Sequence, residues 1–227
     1  MVKRLATLAA VVVGISVGAH AASLDLPRQA TPDIWSNATT TTYVLEGDGT
    51  GTLTAIGRPR KLSAPPDQII FSNMDDFALS VRVDSATGAL VEPGTLTITG
   101  AVPDRGITDV NTTLLTGEVT RMGFPDPPPP GELAVNDPLE FVFTVTGGAL
   151  EDLYGGVGSL GGVTLWVQGS GSSGFDATKG FTENFSSDMF RGESDTYVIP
   201  EPITAVAAIP IVLLAGIVRR RRSLAVH

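Results

Sequence analysis

The sequence predicts a mainly β protein: an antiparallel β-sandwich, jelly-roll or immunoglobulin-like, with an N-terminal signal helix and a C-terminal transmembrane helix. Three observations predict the β body. Apolar residues alternate with polar or small ones in several short runs, the period-two pattern of half-buried strands. Turn-forming clusters fall between those runs. No stretch of the body sustains a helical period.

The chain starts with Lys3 and Arg4, continues through apolar Leu5 to Val17, and reaches the small residues of Ala19-His20-Ala21. This is the layout of a secretory signal peptide, with cleavage expected after Ala21 or Ala22. Residues 22–199 then read as one exported domain, long enough to bury a sizeable core.

Strands are expected where period two is clearest. Phe77, Leu79, Val81 and Val83 alternate, as do Leu96 and Ile98 between threonines, and Leu139, Phe141, Phe143 and Val145. Val163, Leu165 and Val167 alternate too, which puts Trp166 on the opposite face. Thr39–Leu45, Gly51–Ile56, Gln68–Ser72 and Thr112–Arg121 read as further strands. Turns are expected at Gly47-Asp48-Gly49, Pro65-Pro66-Asp67, Ala86-Thr87-Gly88 and Pro103–Gly106. Ala149–Leu153 suits one helical turn. Phe181, Phe185 and Met189 recur at the spacing of a short helix, but the four phenylalanines between Phe175 and Phe190 read better as covering an edge or end of the core. The five prolines between Pro125 and Gly131 predict a stiff connection, and Gly169–Gly174 a Gly/Ser-rich one. Gly51-Thr52-Leu53-Thr54 recurs as Gly94-Thr95-Leu96-Thr97.

Composition narrows the chemistry. Of 15 basic residues, two lie in the leader and four near the C-terminus, so the part up to Pro202 carries nine against 24 acids, a formal charge of −15. Such a surface repels nucleic acid and anionic lipid. There is no cysteine, and the two histidines, His20 and His227, both lie outside the body. The body therefore has no His for a Ser-His-Asp triad and lacks the usual ligands of a zinc centre. The remaining enzymatic options are a carboxylate pair, as in glycoside hydrolases, or a lysine base, for which the body offers only Lys61 and Lys179.

Individual motifs add little. Gly156-Val157-Gly158-Ser159-Leu160-Gly161 matches a dinucleotide fingerprint by letter, but a strand-like run follows it where a helix is required. A glycine-rich turn is the expected reading. Glu46-Gly47-Asp48-Gly49-Thr50 and Asp75-Asp76 offer turn carboxylates of the kind calcium favours, without the spacing of a full calcium loop. Asn37, Asn111 and Asn184 each open an N-glycosylation acceptor triplet, read here as chance. Trp35 and Trp166 are the tryptophans of the body, and Trp166 is the candidate for stacking against a sugar.

The C-terminal region, residues 200–227, is the most distinctive. Pro200-Glu201-Pro202 precedes an uncharged run of 16 residues, Ile203 to Val218, and then Arg219, Arg220, Arg221 and Arg222. As a helix the run would span roughly 24 Å at about 1.5 Å per residue, short of a bilayer core of about 30 Å. Pro210 interrupts it. The arginines would hold that end in the cytoplasm by the positive-inside rule.

Motif, short apolar span and arginine cluster, in that order, resemble the PEP-CTERM sorting signal that exosortases read in Gram-negative bacteria. The residues carrying the resemblance make up about an eighth of the chain, and Ser223–His227 extends beyond the pattern. The resemblance implies passage through the secretion machinery and a transient hold in the inner membrane. It further implies processing by an exosortase-type transpeptidase near the motif, then delivery to the cell surface or exterior, in association with exopolysaccharide. The expected function is a non-enzymatic structural or interaction protein of the cell surface or extracellular matrix. The alternatives are a carbohydrate-binding module meeting exopolysaccharide through Trp166 and, behind it, a carboxylate-based glycoside hydrolase. No cofactor is expected, calcium at the turn carboxylates being the one candidate ion.

Overall fold

Alternation in the sequence becomes ten strands in the computed structural model, which describes residues 23–27, 31–124, 138–167, 175–187 and 192–200. They are β1 (Asp33–Leu45), β2 (Thr50–Ser63), β3 (Gln68–Ile69), β4 (Phe77–Asp84), β5 (Gly94–Thr99), β6 (Thr113–Gly123), β7 (Pro138–Gly147), β8 (Leu160–Trp166), β9 (Phe185–Ser186) and β10 (Glu193–Val198). The expected turn at Ala149–Leu153 appears as a 3-10 turn over Glu151–Tyr154. Phe175 and Phe181 do cover an end of the core, and the alternative of a short helix through Phe181 and Phe185 does not form, because Phe185 lies in β9; Met189 and Phe190 lie outside the described residues.

The architecture is a closed barrel rather than the expected sandwich. Eight strands follow one another antiparallel around the wall in the order β1, β2, β4, β5, β6, β7, β8, β10, and β10 pairs back onto β1. A sandwich needs two separate sheets, but β1 is paired on both sides and the sheet has no break. Alternation alone cannot distinguish the two, because both bury every second residue. Closure also removes the unpaired strand edges that invite aggregation.

An eight-stranded barrel has an interior just wide enough to be filled by side chains. Here Phe77, Leu79 and Val81 of β4, Phe141 and Phe143 of β7, and Val163 and Leu165 of β8 fill it, each almost fully buried. The seam where β10 meets β1 is different. Its inward positions include Ser36, Ser194 and Thr196, all fully buried, with Ser36 directly opposite Ser194.

Glycines make room for aromatic rings. Phe143 sits opposite Gly161, and a side chain at Gly161 would collide with its ring, whose Cε1 lies 2.5 Å from a notional Cβ. Gly117 bounds the same ring from the β6 side. Gly162 gives Tyr197 the same space on the outer face. The recurring Gly-Thr-Leu-Thr segments lie in β2 and β5, on either side of β4, with Leu53 and Leu96 both pointing inward.

Each end of the barrel is plugged. At one end Phe181 packs edge-on against Tyr43 (5.0 Å between centroids) and lies 5.3 Å from Phe175 and 5.6 Å from Phe124. At the other end Tyr154 is fully buried and its hydroxyl donates to the Thr196 carbonyl at 2.7 Å. Burial first, and the charge of Asp33 second, push the Tyr154 hydroxyl well above its ordinary value. A raised pKa means that the fold favours the protonated form. Its contribution is therefore fully present below the unfolded value of about 10 and is lost as pH rises through the folded value. Tyr154→Phe should cost about 1 kcal/mol at neutral pH, the worth of one hydrogen bond. Above about pH 10 that difference should shrink, because only the wild type has a phenol to ionise at this position. Urea denaturation of both proteins at the two pH values checks this, and a constant difference would contradict it.

The outer wall is polar. Thr42, Thr54, Ser80, Thr95, Glu118 and Thr144 form one cross-strand row around six strands. A polar outside around an apolar inside is the reverse of a membrane-spanning barrel. Among the described residues no helix is long and apolar enough to cross a membrane.

Candidate functional surface

The two tryptophans project from the same stretch of wall. Trp166 ends β8, half-buried and facing outward, while its neighbours Val163, Leu165 and Val167 are buried in the core as expected. Its cross-strand partners are Pro138 on β7 and Glu193 on β10. Trp35, also half-buried, lies between Asp195 of β10 and Lys61 of β2. The tryptophans thus flank β10, two strands apart and one side-chain repeat out of line. Strand spacings of about 4.8 Å and a repeat of about 7 Å put their Cα atoms roughly 12 Å apart. Sequence separation concealed this pairing, since only the β10–β1 closure brings Trp35 near Trp166.

The neighbouring wall carries a feature with no signal in the sequence. Residues 23–27 reach β7, where the Leu24 backbone N–H donates to Glu140 Oε2 at 2.8 Å and the Ser23 hydroxyl donates to the same oxygen at 3.2 Å. Nearby outward-facing Val142, Thr164 and Tyr197 are almost fully buried, and the Tyr197 hydroxyl lies 3.1 Å from Thr164 Oγ1.

Of the turn carboxylates, Glu46, Asp48 and Asp76 are engaged with the protein itself. Arg82 pairs with Asp48 at 2.7 Å and with Glu46 at 3.2 Å. Thr50 donates its hydroxyl to Asp48 at 2.6 Å and its backbone N–H at 3.0 Å. The Thr50 bonds first, with Arg82 contributing, hold the Asp48 carboxyl below its ordinary value. Arg82 thus supplies positive charge at the Glu46 and Asp48 carboxylates. Asp76 caps its own turn by accepting the Asn73 N–H. Among the described residues no three acids or histidines gather into a cation-holding group.

The glycine fingerprint divides between two structures. Gly156 and Gly158 take left-handed φ values of 87° and 94° in a turn, as expected, whereas Gly161 is already in β8. Of the acceptor asparagines, Asn184 Oδ1 accepts the Leu45 N–H at 2.7 Å and Asn37 Oδ1 accepts from Arg60 Nε at 3.3 Å. Pro200 is the last described residue; Glu201, Pro202 and Arg219 to Arg222 lie outside them. The fold runs up to this motif, because the Ile199 N–H still donates to the Leu160 carbonyl at 3.1 Å. No family model, curated protein or solved structure matches the chain.

Proposed function

We propose that this chain is a non-enzymatic protein of the cell surface or extracellular matrix, exported, folded as a barrel and handled through a PEP-CTERM-type signal at residues 200–227. The observation that carries the reading is the junction: the last backbone bond of the barrel, at Ile199, directly precedes Pro200-Glu201-Pro202. Domain and signal meet without a spacer, as a cargo and its label would. In this reading the secretion machinery delivers the chain and the apolar run holds it at the inner membrane. An exosortase-type enzyme then processes it near Glu201. The water-facing wall and the absence of His and Cys from the body favour binding or building over catalysis. Deleting 201–227 should shift the protein from the membrane and surface fractions to the soluble periplasmic or secreted fraction. An unchanged distribution on cell fractionation would defeat the proposal.

A second reading, carbohydrate binding, draws support from the two tryptophans. Tryptophans whose Cα atoms lie roughly 12 Å apart would stack on a glycan, and Glu193 and Asp195 between them would accept hydrogen bonds from its hydroxyls. Trp166→Ala should then weaken retention in affinity gels containing exopolysaccharide.

A further inference from the structure

We propose that the tail end of the barrel is a lipid-docking face, seated on the zwitterionic surface of the bilayer that holds the chain's own C-terminal segment. The inference rests on reading Ile203–Val218 as a membrane anchor, and adds a contact that the anchor alone does not require.

The meander sorts the loops cleanly. β1 starts and β10 ends at one end of the barrel, which also carries the β2–β4, β5–β6 and β7–β8 connections. Each of these three connections exposes large apolar side chains. Ile69 is 66 % exposed, Phe71 54 % and Met74 39 % in the first; Val110 is 38 % in the second; Val157 is 65 % in the third. The opposite end has Val44, Leu45 and Val91, but the three most exposed large apolar residues are all at the tail end. Val157 precedes Leu160, whose carbonyl holds Ile199, so it lies beside the exit of the tail. Ile69 lies on the other side of that exit, across β1 and β2.

The tether is short. Only Pro200, Glu201 and Pro202 separate Ile199 from the apolar run. Even fully extended, at about 3.3–3.6 Å per residue, they hold the barrel within roughly 14 Å of that run. An end kept so close meets the headgroup layer, where apolar side chains find partners that water does not offer. Charge selects the lipid. The same connections carry Asp75, Asp76, Asp104, Asp109, Glu151 and Asp152 against Arg105, Asp67 being paired with Lys61 at 2.5 Å, and anionic headgroups would repel that excess of negative charge.

Because the chain has no cysteine, single labelling sites are clean. The full chain would be reconstituted in phosphatidylcholine vesicles containing nitroxide-labelled lipid. A fluorophore would be placed in turn on Ile69→Cys, Val157→Cys, Val91→Cys and, in the tail, Leu214→Cys. The expected result is strong quenching at Leu214, Ile69 and Val157, with none at Val91. Quenching at Leu214 alone would overturn the docking face and leave the anchor standing. Equal quenching at all four positions would overturn the proposed orientation. No quenching anywhere would refute the anchor, and the docking face with it.

Discussion

Phe143→Ala should destabilise the barrel by about 3–5 kcal/mol, the usual loss for a buried phenylalanine. The ring is fully buried and lies across Gly161 on one neighbouring strand and Gly117 on the other. Gly161→Val should cost about 1–3 kcal/mol for the opposite reason, by forcing atoms into space the ring occupies. Together the changes should cost less than their sum, because the valine would occupy the volume vacated by the phenylalanine. Directly packed residues typically couple by about 0.5–3 kcal/mol. Urea midpoints of the wild type, both single variants and the double variant close the cycle. Strict additivity would mean that Gly161 is there for its backbone and not for Phe143.

Phe181→Ala should be comparably severe, about 3–5 kcal/mol, although the residue lies in a connection and not in a strand. It is 1 % exposed and at the centre of the ring cluster that plugs its end of the barrel. Losing it also loosens the segment that completes the β1 side of the wall. There the Thr41 N–H donates to Ser187 Oγ at 2.7 Å and the Ser187 N–H donates to the Thr41 carbonyl at 2.8 Å. Hydrogen exchange should therefore accelerate at Ser187 and Leu45 and, because the plug is continuous with the core, across β1 as a whole. Acceleration confined to residues 175–187 would show that the plug opens separately from the barrel.

Most of the wall was legible in the sequence because its inward positions are large and apolar. β4 reads Phe77, Leu79, Val81, Val83 and buries all four. β10 was invisible for the opposite reason. Its inward residues are Ser194 and Thr196, so Glu193–Val198 has no apolar alternation to detect. The first half of β1, with Ser36 facing inward, was missed in the same way. These two segments form the closing seam, so the expected fold was an open pair of sheets. Trp166 was placed correctly by parity with Val163 and Leu165, while its relation to Trp35 depended on the seam and stayed hidden. The turn glycines Gly156 and Gly158 were recognisable; the role of Gly161 was not, because it depends on a ring on another strand.

Pairing of the first and last wall strands sets an order of events. Asp33 and Tyr197 are 164 residues apart in sequence yet directly opposite in the closed wall. A chain that emerges N-terminus first must leave β1 unpaired on that side until nearly everything else has appeared. Closing so large a loop is slow, since the entropy of bringing its ends together is lost before the contact contributes. The late arrival, β10, is separated from the apolar run by only Ile199, Pro200, Glu201 and Pro202. In the proposed export the barrel would be completed only as residues 200–227 emerge, and the last strand would act as a latch that times folding to the end of transit.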